Sequence, residues 1–198
     1  MAIEFSSSPV TCNGLSDGSI DITVIGGTGN YTYNWSNGQT SEDLENIPAG
    51  NYSVTVEDEN GCQIGISSEI TETGLIVINE NSSNYNGYGV SCNGDSDGFI
   101  DISVTGGFGE YTYLWSNGQT SEDLSDIAAD VYSLTVTDGN NCSVSIDIPI
   151  TEADPIVINP TITNVSCNGQ ADGEIEIITT GGTGTYTYLW SNAVSYTH

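Results

Sequence analysis

The chain has 198 residues, with 27 Asp or Glu, no Lys, no Arg and one His, for a formal charge of −27. Without Lys or Arg it cannot displace counterions from nucleic acid or dock on anionic lipid, so both are excluded as partners. Nor can it form a Lys- or Arg-carboxylate ion pair or a Lys–Asn isopeptide cross-link, and no apolar run is long enough for direct membrane insertion as a helix. The composition, 36% hydrophobic and 14% charged, suffices for packed cores, and 24 Gly mark many turns. The opening "MAIEFSSSPV" has neither a charged nor an apolar leader region, so no signal peptide is expected. This opening and the abrupt end suggest a segment of something longer.

Taken in chain order, period-2 alternation predicts short strands. Ile20, Ile22 and Val24 share one face, with Asp21 and Thr23 on the other. Gly26-Gly27-Thr28-Gly29 turns the chain, and Tyr31, Tyr33 and Trp35 alternate on the next strand. Asn37-Gly38 reads as a two-residue hairpin turn, because both residues tolerate positive φ. Leu44 and Ile47 anchor a short segment, Tyr52, Val54 and Val56 alternate again, and Ile64, Ile66 and Ile70 form a last strand.

The pattern then repeats. Cys12–Cys62 aligns without a gap to Cys92–Cys142, with 35 identities in 51 positions, and a third copy begins at Cys167. A period near 80 residues marks one folding unit copied in tandem. The expected modules are residues 1–73, 74–152 and 153–198, the third with its first three strands only. The expected fold class is all-β: tandem immunoglobulin-like antiparallel sandwiches of about seven strands each. The short joints "ITETGLIVIN" and "ITEADPIVIN" favour an extended rod. Three strands cannot close a core, so the third module should be frayed, truncated from a longer array, or completed by another chain. "AVSYTH" departs from the repeat, which elsewhere continues "GQTSED".

The five cysteines fall at repeat-locked positions, fifty residues apart within each full copy. One disulfide per module is expected, Cys12–Cys62 and Cys92–Cys142, with Cys167 unpaired, in an oxidising extracellular setting. A 50-residue loop would be worth roughly 4 kcal/mol in the chain-entropy model. The competing reading is buried free thiols; zinc is weaker still, because no CxxC or paired His accompanies these thiols. In simple immunoglobulin topology, however, a residue ahead of strand B and one after strand F could lie at opposite ends. Whether the sulfurs can reach each other depends on the fold.

The string C-N-G-x-x-D-G-x-I-x-I, followed by G-G-x-G-x-Y-T-Y-x-W-S-N-G-Q-T-S-E-D-L and Y-S-x-T-V-x-D-x-x-x-C, resembles the SprB-type repeat. That repeat occurs in tandem in very large cell-surface adhesins of gliding Bacteroidota. The resemblance covers nearly the whole chain. It implies type IX secretion, outer-surface display as a moving filament, and a role in attachment and gliding motility. It supplies no catalytic residues.

Enzyme readings fare poorly on the residues themselves. A nucleophilic triad needs a base, and the only histidine is His198 at the end. A glycosidase would need a fixed carboxylate pair in a cleft, whereas the acidic residues here recur on turns and solvent faces. "GGTG" and "GGFG" lack a following helix or Lys and read as turns rather than phosphate loops. No cofactor is required. Calcium is the best chemical hypothesis, with Asp95, Asp97 and Asp101 in "DSDGFID" spaced as oxygen ligands around a Gly, and Asp17 and Asp21 in the first copy. The competing reading is an acidic turn without metal. Glu69, Glu72, Asp147, Glu152 and Asp154 form a second candidate set at the joints. Trp35 and Trp115 read as core anchors rather than a sugar platform. Tyr85 and Tyr88, in the insertion "NENSSNYNGYG", are better ligand candidates. The expected function is a non-catalytic extracellular stalk or filament at the cell surface, with neighbouring modules of the same or an identical chain as partners. The alternative is a carbohydrate-binding array with surface polysaccharide as partner.

Overall fold

The computed structural model describes residues 1–191 and the backbone of 195–197. Residues 192–194 and His198 lie outside the described residues, and with them part of the divergent segment "AVSYTH". Every regular element among the described residues is a strand. The first copy comprises β1 (Ala2–Ser8), β2 (Gly18–Ile25), β3 (Thr32–Trp35), β4 (Leu44–Ile47), β5 (Gly50–Glu57) and β6 (Gln63–Ile70). They form two antiparallel sheets, β1-β2-β4 and β3-β5-β6. Alternation works as expected on β2, where Ile20 and Ile22 are buried and Asp21 and Thr23 exposed, and on β5, where Tyr52, Val54 and Val56 point inward. With Val10, Trp35, Leu44, Ile47 and Ile70 these side chains form one core.

The sheet orders are those of immunoglobulin strands A-B-E and C-F-G. Two further hallmarks agree. Trp35 on the C-like strand is buried, 3% exposed. Tyr52, at the start of the F-like strand, turns its hydroxyl back to donate to Pro48 O (2.9 Å), the tyrosine-corner arrangement. Tyr132 does the same to Ala128 O (3.1 Å). The chain has six strands per full copy rather than about seven, because no D strand forms. Residues 36–43 are held as a loop around the Trp35 backbone and indole. Trp35 N–H donates to Gln39 O (3.0 Å) and its Nε1–H to Ser41 O (2.9 Å). Gly38, at φ +85°, closes a tight turn onto Trp35 O. The chain does reverse at Asn37-Gly38 as expected, but Asn37 does not take positive φ and the turn leads on to a strand of the other sheet, so it is not a two-residue hairpin between paired strands.

The second copy comprises β7 (Gly74–Ser82), β8 (Gly98–Gly107), β9 (Thr112–Trp115), β10 (Leu124–Ile127), β11 (Asp130–Thr137) and β12 (Ser143–Ile150), in sheet orders β10-β8-β7 and β12-β11-β9. Its inward positions are buried as in the first, Trp115 at 2% and Ile100 at 0% exposure. The third copy has β13 (Val157–Thr163) paired with β14 (Glu174–Thr180), and β15 (Thr187–Leu189) paired with β16 (Ser195–Thr197). That is one strand more than the three expected. From Asp154 to Ser191 no residue is buried. Ile175 is 53% exposed where its counterpart Ile20 is 0%, and Val165 is 51% exposed where Val10 is 1%. The E-, F- and G-like strands are what cover these positions in a complete copy.

By compactness the chain divides into two units. One is Met1–Ile78 with Val104–Tyr113 and Thr135–Ser145; the other is Asn79–Ser103, Leu114–Leu134 and Ile146–His198.

Candidate functional site

Cys12 sits in the turn ahead of β2, and this turn is tied to the far end of β6. Val10 N–H donates to Thr71 O (2.9 Å), Asn13 Nδ2 to Thr73 O (3.2 Å) and Gly14 N–H to Glu72 Oε2 (2.7 Å). Cys62 lies at the opposite end of β6, just before Gln63. The strand's 8 residues span about 26 Å at roughly 3.3 Å each. A disulfide needs Cα atoms within about 7 Å, so Cys12 and Cys62 cannot bond. Cys92 and Cys142 are separated in the same way. Asn93 and Gly94 are tied to Ala153 and Glu152 beyond one end of β12, and Cys142 precedes its other end.

The structure instead joins Cys12 to Cys142, with Cα atoms 5.6 Å apart and 130 residues between them in sequence. The two expected within-module bonds are therefore replaced by one bond between consecutive repeats. Cys62, Cys92 and Cys167 are exposed free thiols, so the expectation for Cys167 alone is met. Asn140 Nδ2 donates to Thr11 O (3.1 Å) beside the bridge. An open cleft of about 330 Å³ adjoins it, lined by Leu15, Leu75, Ile76 and Val144 among others.

The hairpin that carries each second cysteine is built around a buried aspartate that sequence reasoning overlooked. Asp58 is 6% exposed and Asp138 5%. Asp58 Oδ1 accepts from Asn60 N–H (3.0 Å) and Cys62 N–H (2.9 Å), and its Oδ2 from Thr28 N–H (3.0 Å). Asp138 repeats the set with Asn140, Cys142 and Phe108. The Cys62 N–H, with those of Thr28 and Asn60, holds the Asp58 carboxyl below its ordinary 3.8 against an opposing effect of desolvation. The signal was present: an Asp four residues before each hairpin cysteine, D-x-x-x-C in both copies.

The calcium candidates do not assemble into one ligand set. Asp17 accepts from the Thr11 N–H (3.0 Å) and hydroxyl, which together hold its carboxyl below 3.8. Asp97 and Asp172 clasp the Ser91 and Ser166 N–H groups in the same way (3.0 Å each) and are lowered likewise. Asp95 accepts from Ser91 Oγ (3.0 Å). Asp21 and Asp101 stand on the exposed strand face. At the joints, Glu72 and Glu152 are engaged by Gly14 and Gly94, and Asp147 accepts from Ser133 Oγ (2.6 Å). Among the described residues no group of three or more His, Cys, Asp or Glu side chains gathers as a metal site. The geometry is that of carboxylates closing turns on backbone N–H groups.

Tyr85 and Tyr88 face each other across a miniature hairpin, Asn86 and Gly87 at φ +54° and +96°. Tyr85 is 37% exposed and donates its hydroxyl to Asp97 O (3.2 Å), and Tyr88 is half-buried. The insertion thus brings the two ligand candidates together. Among the described residues no helix is long and apolar enough to cross a membrane.

Comparison with known proteins bears on this architecture. A search of curated proteins finds no match. Two solved structures are similar in part. One is the C-terminal 282-residue fragment of intimin in complex with the translocated intimin receptor's intimin-binding domain, at 16% identity and a TM-score of 0.44, covering 80% of this chain and 67% of that one. The other is the amphioxus IgVJ-C2 molecule, at 11% identity and a TM-score of 0.30, covering 75% and 96%. The family model described as the SprB repeat matches residues 5–40, 90–120 and 159–195, one segment in each copy. These segments span more than half of the chain, which therefore belongs to the SprB repeat family.

Proposed function

We propose that this chain is a non-catalytic stalk or filament segment of a cell-surface adhesin, serving attachment and gliding motility after type IX export. SprB repeats are associated with cell-surface adhesins of gliding motility. The observation that carries the reading is the bond between Cys12 and Cys142. Tension entering at Cys12 leaves at Cys142 without loading the strands between, and a disulfide persists in the oxidising exterior. A tether under shear gains from such a bypass. Neighbouring repeats are then the partners, and bound calcium is not required.

The test places the repeats in a surface adhesin on cells under flow. Wild type and the Cys12→Ser/Cys142→Ser variant should be displayed equally and attach equally at rest. The variant should detach at lower shear. Equal detachment would contradict the tether reading. The alternative, a carbohydrate-binding array, is favoured by the exposed Tyr85 on its hairpin. A specific glycan bound by wild type and lost in Tyr85→Ala/Tyr88→Ala would establish that reading instead.

A further inference from the structure

We infer that the Cys12–Cys142 bond is one member of a staggered series, in which the turn cysteine of each repeat bonds to the hairpin cysteine of the next. Cys92 and Cys167 are then donors to following repeats, and Cys62 is an acceptor for a preceding one. The inference stands on chemistry and placement, independent of the adhesin reading.

Both halves of the bond are built identically in the two complete copies. The turn cysteines each accept from the residue three places on, Leu15 N–H to Cys12 O and Asp95 N–H to Cys92 O, both at 3.1 Å. Each turn is locked to the joint that leads into the next repeat. Gly14 N–H reaches Glu72 and Gly94 N–H reaches Glu152 at the same 2.7 Å. Asn13 and Asn93 donate to Thr73 O and Ala153 O. The hairpin cysteines are presented by the same clamp, Cys62 N–H on Asp58 and Cys142 N–H on Asp138, both at 2.9 Å. A joint that holds its own repeat's turn in this way fixes where the next repeat starts relative to that turn. In the first joint, this arrangement brings the following hairpin cysteine to the turn cysteine. The second joint carries the same clamp, so a complete following repeat would offer its hairpin cysteine to Cys92. Within-repeat pairing is closed to both complete copies by the length of β6 and β12. The three free thiols are exposed, as halves awaiting a partner must be.

The bond forms by thiol–disulfide exchange. Two cysteine thiols lose two protons and two electrons to a disulfide oxidant such as oxidised glutathione, which leaves as two thiols.

The test uses two chains refolded with oxidised glutathione and mapped by maleimide labelling and non-reducing peptide analysis. In the first, the second copy's residues 118–152 follow Asn192 in place of the last six residues, giving the third repeat its own hairpin cysteine. Cys92 is expected to bond to that new cysteine, leaving Cys62 and Cys167 labelled. A bond from the new cysteine to Cys167, or a labelled Cys92 beside an intact Cys12–Cys142 bond, would overturn the inference. The second is the native chain with Cys12→Ser, which does not depend on the graft folding. Labelling of Cys62, Cys92, Cys142 and Cys167 is expected. A Cys92–Cys142 bond would overturn the stagger.

Discussion

At the residue scale, the same few side chains hold each copy, and each makes a measurable contribution. Trp115 fills the second core and donates its indole N–H to Ser121 O (2.9 Å). Trp115→Ala should cost about 3–5 kcal/mol in chemical denaturation, as large core truncations do. A cost below about 1 kcal/mol would remove Trp115 from the core account. The clasping aspartates set the acid limb of stability. Asp17, Asp58, Asp97 and Asp172 all titrate below their ordinary 3.8. Their folded-state pKa is depressed, so their contribution is complete above 3.8 and is lost as pH falls through the lower folded values. Acidification also lowers the charge of −27 and so relieves repulsion. Melting temperature should therefore rise from neutral pH to about 4.5 and fall steeply below about 3.5. Monotonic stabilisation into strong acid would contradict the clasps. On the alkaline side, burial, then hydrogen bonding to Glu42 and its charge, pushes Tyr33 up to about 12. That group contributes below its ordinary 10 and loses its contribution as pH climbs toward 12.

At the element scale, β2 and β8 begin at a glycine pressed against the core. A Cβ on Gly98 would lie 2.9 Å from Ile127 O, 3.2 Å from Gly89 O and 3.3 Å from Ile150 Cγ2, so backbone on two sides would have to give way. Gly98→Ala should cost about 1–3 kcal/mol by overpacking, read from its denaturation midpoint, whereas a neutral result would mean that β8 and β10 are looser than described. Strand existence was legible in the sequence because burial alternates locally, and Ile20, Ile22, Tyr52, Val54 and Trp35 all lie inside as their spacing implied. The missing D strand was not legible. What decides it is how the loop wraps the Trp35 indole, a contact that leaves no periodic trace. The cysteine partners were not legible either. Equal spacing reveals which cysteines are equivalent, but the choice of partner depends on the turn of Cys12 and the hairpin of Cys62 lying at opposite ends of β6. Asp17 was recognised as a turn residue or a ligand, and its hydrogen bonds to Thr11 favour the turn. Asp58 and Asp138 carried a repeated signal that was readable but easily taken for an ordinary acidic turn.

At the scale of the whole molecule, a charge of −27 without Lys or Arg leaves screening to the solvent. Added sodium should raise the melting temperature by weakening self-repulsion. Because the carboxylates do not gather into a ligand set, calcium at matched ionic strength should add little beyond screening. A calcium-specific rise lost in Asp97→Asn/Asp101→Asn would place a binding site in that turn. The larger stabiliser is the bond across 130 residues, worth about 5 kcal/mol by loop entropy. Its mechanical consequence is the most direct test of how consecutive repeats are connected. Pulled by its ends under oxidising conditions, the chain should withhold the length of the 130-residue loop, about 450 Å at full extension, and release it in one block of added contour when reductant is supplied. Two withheld lengths of about 170 Å each would mean within-repeat bonds, no difference on reduction would mean no bond, and either result would contradict the account.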